Sequence, residues 1–346
     1  MIVNALQVLV RSRGPLPELG NVGGMDRDAG PMGQLLGELR RSHPRLAIAT
    51  IVGGETTTAI TGVQLEADFE IGSVSKAITG LLYADACERG EVRPSTSLGE
   101  LLPLGDCPAG QLTLASMSTH SSGLPRLPPY PDRWQRSYSL WRHGRNPYGE
   151  DLAELLAQAR RVRLKSPRPR YSNLGFELLG HAVAAAAGLT FRALVAERLS
   201  NPLGLTSTYV PATNSNLGPR ALSGSNRKGR SQDPWVGEAL GPAGGIRSTI
   251  GDMATLAGAL LDGSAPGVAA LDPVASFAGP AARIGAAWMT LEAKGRTVTW
   301  HNGATGGFSS WIGLDRETGT AAVLLSATAG SLDHHGFRIV AGLSAG

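Results

Sequence analysis

"FEIGSVSKAITG", residues 69–80, sets Ser73 and Lys76 three positions apart, where a short β-rich run gives way to a helical one. If the helix begins near Ser73, both side chains share one face at i and i+3, close enough for an amine to take a proton from a hydroxyl. Alone the pattern is weak, because most serine and lysine pairs of this kind are a helix cap followed by a solvated lysine. Its meaning depends on the chain around it.

On the N-terminal side, "RLAIATIVGGETTTAITG" (45–62) places two β-rich runs around Gly53-Gly54-Glu55, a hairpin signal. A further strand is expected in "LEADFEIG" (65–72), leading into a helix that runs to about Glu88 and stops before Gly90. Helical periodicity then dominates in "DLAELLAQARRV", "NLGFELLGHAVAAAAG" and "FRALVAERLSNPLG", each closed by Gly or Pro or leading to one. From about Ile284 the chain returns to strands in "IGAAWMTLEAKG", "RTVTWHNGAT", "FSSWIGLDRETG" and "TAAVLLSAT". The expected fold is α/β (α+β): an antiparallel five-stranded sheet flanked by helices and formed by both chain ends, residues 34–90 and 241–346. A mainly helical domain, 91–240, is inserted between them, and residues 1–33, of which 11–33 are rich in Gly and Pro, form a flexible lead-in. Loop 126–150 is long and rich in Pro and aromatics, so an ordered lid is expected there, with Trp134, Tyr138, Trp141 and Tyr148 as its side chains. Each of the four could equally pack that loop onto the helical insert.

The chain has 346 residues, 42% of them hydrophobic, enough for a substantial core in one large domain or two interleaved ones. Lys and Arg exceed Asp and Glu by 32 to 28, and the excess is local, with eleven basic against four acidic residues in 126–170. No nucleic-acid motif accompanies that segment, which fits a solvated face or an attraction for anionic substrates. Cys87 and Cys107 stand in no C-x-x-C and near no His cluster, so two buried thiols are expected rather than a zinc site or a disulfide framework. "MIVNALQVLVRSRGP" lacks a basic n-region and the ~20 apolar residues of a membrane span, so a cytoplasmic enzyme is expected.

Two more stretches complete the pattern: "RPRYSNLGFELLG" (168–180) and "WHNGATGGFSSWIGLD" (300–315). With "IGSVSK" they give S-x-x-K, Y-x-N and H-x-G in order, and the chain resembles the serine β-lactamase-like superfamily, the penicillin-recognising enzymes of the class C, esterase and DD-peptidase type. "LASMSTHSSGLPRLP" and "GPAGGIRSTIGDMA" resemble two further segments of that family, and the resemblance runs from about residue 34 to the C-terminus.

The resemblance implies Ser73 as nucleophile, Lys76 as its base and Tyr171 as a second proton-transfer group. A lysine close by is expected to lower the tyrosine's pKa and pass a proton to it. It implies that Asn173 holds a substrate amide or the lysine, and that His301, Asn302, Gly303 and Ala304 contact substrate. The N–H groups of Ser73 and Ala304 would form an oxyanion hole, aided by the helix N-terminus. Read from the residues alone, Tyr171 could be a core tyrosine and Asn173 an Asx-turn.

One departure matters. His301 stands where most β-lactamases of the family have a lysine that anchors a substrate carboxylate, and histidine is mostly neutral at pH 7. A neutral ester or amide is therefore the expected substrate, with no metal and no cofactor. Hydrolysis and transfer of the acyl group to an amine acceptor remain alternatives, the latter helped by a closed lid. A β-lactamase or D-amino-acid peptidase, and a non-catalytic binding descendant, stand behind them.

Overall fold

The computed structural model describes residues 31–343 except 131, 280 and 294. Of the expected lead-in, residues 1–30 lie outside the described ones, and 31–33 already open the first helix, α1 (Pro31–Leu39). The hairpin follows as β1 (Leu46–Val52) and β2 (Glu55–Thr61), joined through Gly53 and Gly54 at φ +56° and +82°. Two consecutive left-handed residues make the tight turn whose twist matches the strands, which is why two glycines stand there.

β3 (Asp68–Glu70) leads into α2 (Val74–Glu88), the helix of the opening motif. Next come α3 (Arg133–His143), α4 (Leu152–Arg160) and α5 (Asn173–Ala186). The short strand β4 (Arg247–Thr249) precedes α6 (Ile250–Asp262), and then β5 (Ala275–Ser276), β6 (Ala282–Ile284) and β7 (Met289–Ala293). The chain ends in β8 (Arg296–Ala304), β9 (Ser309–Asp315), β10 (Thr320–Ser326) and α7 (Asp333–Leu343).

The main sheet is antiparallel and has eight strands, in the order β2-β1-β10-β9-β8-β7-β6-β5, rather than the five expected. Two of the extra strands, β5 and β6, are two and three residues long and carry too few positions for any alternation to show. The strand expected in "LEADFEIG" is not part of this sheet. β3 pairs with β4 in a separate two-stranded ribbon, where Arg247 binds the carboxylates of Asp68 and Glu70. The two chain ends do share one sheet: Leu46 of β1 lies opposite Ser326 of β10, and Val52 opposite Thr320.

Strand alternation divides the core in two. Ala47, Ala49 and Ile51 of β1 face one side with α2 and α6, whereas Leu46 and Ile48 face the other with Leu39 of α1 and Phe337 of α7. Because α2 is buried on nearly every side, it lies between the sheet and the helical segment rather than on a surface. Gly80 shows how close the approach is: a Cβ there would sit 2.0 Å from Ala286 O. Cys107 is buried and Cys87 half-buried, both as free thiols. No single described helix is long and apolar enough to cross a membrane.

Candidate active site

Ser73 occupies the N-cap position of α2, yet its hydroxyl does not cap the helix. Instead Lys76 Nζ lies 3.2 Å from Ser73 Oγ, on the face one turn along. The same Nζ donates to Ala243 O at 2.5 Å and stands 4.9 Å from the centre of the Tyr171 ring. Thr79 Oγ1 donates to Pro242 O at 2.8 Å, and Ile246 N donates to Ser75 Oγ, so the segment 241–246 is laced along α2 and presents its carbonyl to the lysine.

The turn before Ser73 is shaped by glycine. Gly72 has φ +49°, and a Cβ on it would sit 2.8 Å from Ala304 N. Gly303 is tighter still: its Cβ would meet Ile71 O at 2.1 Å and lie 3.0 Å from Ser73 N. Ser310 Oγ donates to Ile71 O at 2.6 Å and fixes the turn to the sheet. β8 and the start of α2 thus bring the amides of Ser73 and Ala304 side by side, and no described acceptor engages the Ser73 N–H. Such paired donors at a helix N-terminus suit a developing oxyanion.

Tyr171 and Asn173 are placed by the residue between them. Ser172 Oγ accepts from Gly175 N at 2.9 Å and caps α5, its N–H donates to His120 Nδ1 at 3.2 Å, and its hydroxyl donates to Pro125 O. The capping residue faces the protein, so its two neighbours face the cleft. The Ser73 side chain lies near enough to the Tyr171 phenol to oppose its upward shift, and the Tyr171 ring packs 4.5 Å from that of His120. Asn173 Nδ2 donates to Tyr148 OH at 3.1 Å rather than holding the lysine.

Burial governs the electrostatics. The fully buried Lys76 amine is brought down to about 7, with Glu177 opposing the shift and Arg126 adding to it. The Tyr171 phenol moves the other way from expectation. Burial pushes it above its ordinary value, outweighing the Ser73 contact and the Arg126 charge. With its phenol held above the ordinary value, Tyr171 is neutral at pH 7. His301 Nδ1 lies 2.7 Å from Asn302 O; burial, then Lys76, bring its imidazole down to about 3, against the backbone contact. It supplies no positive charge to the cleft.

Asn302 is not brought to the cleft. Its Nδ2 donates to Asp333 Oδ1 at 2.7 Å on α7, because along β8 side chains alternate: Trp300 and Asn302 face α7, His301 and Gly303 face α2. The lid is corrected as well. Trp134, Tyr138 and Trp141 lie on α3 and are 79%, 57% and 76% exposed. Arg136 anchors that helix by ion pairs to Asp132 and Glu150 and by stacking on Tyr130, which turns the aromatic face outward. Only Tyr148 of the four reaches the site, with Trp235 packed 5.0 Å from it.

Three residues escaped the sequence. His120 sits at φ +57° with Nδ1 accepting from Ser172, and burial, then Lys76 and His301, keep its imidazole well below its usual range. Its place in "THSSGLP" was the available signal. Glu177, one turn after Asn173 on α5, is 2% exposed, makes no hydrogen bond to a described residue, and is raised to about 8 by burial. Lys76 opposes that rise and Glu150 adds to it. Arg126 is exposed, and its backbone carbonyl accepts from Asn173 N at 2.8 Å. Among the described residues no group of three His, Cys, Asp or Glu side chains is gathered to hold a metal.

Comparison with known proteins places this site in context. The model of the Beta-lactamase family matches residues 28–345. The D-alanyl-D-alanine-carboxypeptidase/endopeptidase AmpH of Escherichia coli (strain K12) is 30% identical over 195 residues, 55% of this chain and 48% of that protein. Penicillin-binding protein 4 of Amycolatopsis lactamdurans is 26% identical over 327 residues, 83% of this chain and 82% of that one. The alignment thus spans about half the length of the first of these relatives. A class C beta lactamase from Rhodobacter sphaeroides superposes with a TM-score of 0.74 at 23% identity, covering 90% of this chain and 97% of that one. D-alanine carboxypeptidase AmpC from Burkholderia cenocepacia gives 0.73 at 21%, covering 99% of both, and at such identities the likeness speaks for the fold. The family match takes in every residue of the site above, and the chain belongs to the Beta-lactamase family.

Proposed function

We propose that the chain is an acyl-enzyme hydrolase of small esters or amides, with Ser73 as nucleophile, Lys76 as base and Tyr171 as proton donor. The observation that carries this is the Lys76 amine, 3.2 Å from Ser73 Oγ in a buried site that leaves it partly unprotonated near neutrality. Lys76 takes the Ser73 proton as Oγ forms its bond to the substrate carbonyl carbon. The carbonyl oxygen, now negative, is held by the N–H groups of Ser73 and Ala304. On collapse the bond to the leaving group breaks, the Tyr171 phenol donates its proton to that group, and the Lys76 ammonium returns a proton to Tyr171. Water then attacks the acyl-serine and gives its proton to Lys76; the bond from the acyl carbon to Ser73 Oγ breaks, the proton passes from the lysine and tyrosine pair to Oγ, and the acid leaves.

Hydrolysis is favoured over transfer to an amine because three of the four aromatics that could exclude water point outward. A peptidase acting on D-alanyl peptides is the second reading, supported by the likeness to AmpH. The neutral His301 speaks against it, since β8 offers no cation for a terminal carboxylate. The test is steady-state hydrolysis of p-nitrophenyl butyrate, with D-alanine amide added as competing acceptor. Turnover that Ser73→Ala lowers by ~10³-fold or more, with acid as the main product, is expected. Amide as the main product would establish the transacylase, and turnover indifferent to Ser73 would end the proposal.

A further inference from the structure

We propose that Arg126 is the substrate-anchoring cation of this site, its guanidinium holding a carboxylate of the substrate on the side of Ser73 away from β8. This rests on the hydrolase reading above and narrows its substrate class to anionic esters or amides. The placement of Arg126 is fixed by its backbone. Ser172 Oγ donates to Pro125 O at 2.6 Å, and Asn173 N and Leu174 N donate to Arg126 O at 2.8 and 3.4 Å. The residue is therefore tied to the start of α5, immediately beside Asn173, which stands two positions along the chain from Tyr171.

Its side chain is exposed, and its charge acts on Lys76, Tyr171 and Tyr148. Nothing described in the protein uses that charge. Arg126 makes no side-chain hydrogen bond or ion pair among the described residues, whereas Arg136, a few residues on, is consumed by Asp132 and Glu150. The neighbouring acids give it no partner either. Glu150 is buried and already accepts from Arg136 and from Gly149 N, and Glu177 is buried beneath Lys76.

A guanidinium presents donors in a planar fork that fits a carboxylate two bonds at a time. On the opposite wall His301 is uncharged, so Arg126 is the cation placed to meet an anionic substrate. The surrounding segment agrees in sign, with eleven Arg and Lys against four Asp and Glu in 126–170, an excess that favours the approach of anions.

The experiment compares three esters with the intact chain: neutral p-nitrophenyl butyrate, p-nitrophenyl hemiglutarate with its carboxylate on the acyl side, and 4-carboxyphenyl butyrate with it on the leaving group. The expected result is that kcat/KM for one anionic ester relative to the neutral one falls at least roughly tenfold in Arg126→Ala, the worth of a charged hydrogen bond. Arg126→Lys should recover part of that ratio, and added salt should erode it in the wild type. Which anionic ester responds tells whether the acid belongs to the acyl or the leaving group. An equal loss for all three esters would mean that Arg126 acts only through Lys76, and an unchanged ratio would overturn the anchoring role. Failure of the hydrolase reading is distinct: it shows as no Ser73-dependent turnover of any ester. In that case calorimetric binding of p-nitrophenyl hemiglutarate to Ser73→Ala, with and without Arg126→Ala, still decides the anion site.

Discussion

In the proposed reaction acylation turns on Lys76, and the environment of that side chain sets a sign that can be measured. An amine brought down to about 7 gains the capacity to accept a proton as pH rises through neutrality. The acylation rate is therefore expected to climb across that range and level off above it, read from the p-nitrophenolate burst. Glu177, itself raised to about 8, carries its charge only in the upper part of that range, where it favours the ammonium form, so Glu177→Gln should bring the upper end of the climb to lower pH. A variant that merely loosened the fold would lower the plateau and leave the midpoint in place. At this scale the sequence was legible where chemistry is local: Ser73, Lys76, Tyr171, Gly303 and Ala304 stand together as their motifs implied. The charge states were not legible, because they depend on burial by segments distant in the chain. Tyr171 is raised rather than lowered for that reason, and Glu177 acquires its influence only because α5 packs against α2.

β8 separates two kinds of residue at successive positions. Asn302 serves the contact with α7, so Asn302→Ala should lower stability by about 1 kcal/mol in denaturant melts while leaving the acylation rate within about twofold of the wild type. Gly303→Ala should do the reverse in emphasis: its Cβ has no room against Ile71 O, the Ser73 amide must shift, and acylation should fall ~10²-fold. The helix α3 makes a third case. With Trp134, Tyr138 and Trp141 turned outward, replacing all three by Ala should leave kcat for a small ester within about twofold, as expected of exposed surface positions. A collapse of kcat in that variant would restore the lid. Helices were readable from period and punctuation, and α2, α4 and α5 begin and end close to where their sequences say. α3 was not, since Pro and Gly around it spell loop, and what orders it is the tertiary anchoring of Arg136. The short strands β5 and β6, at one end of the sheet, gave no periodic signal at all.

At the scale of the whole molecule, the seam between chain ends is what positions chemistry. β1 and β10 join residues far apart in sequence, and α2 is clamped between that sheet and the helices. In the proposed reaction the nucleophile stands at the N-cap of α2, the oxyanion donors come from that turn and from β8, and the tyrosine stands just before α5, so each part of the molecule supplies one function. Intact-mass spectrometry during turnover of p-nitrophenyl butyrate tests that arrangement most directly. The expected result is a transient butyryl adduct on the wild type, mapped to Ser73, absent from Ser73→Ala, and cleared by water without an added amine. An adduct at another residue, or Ser73-dependent turnover with no adduct under rapid quench, would contradict it.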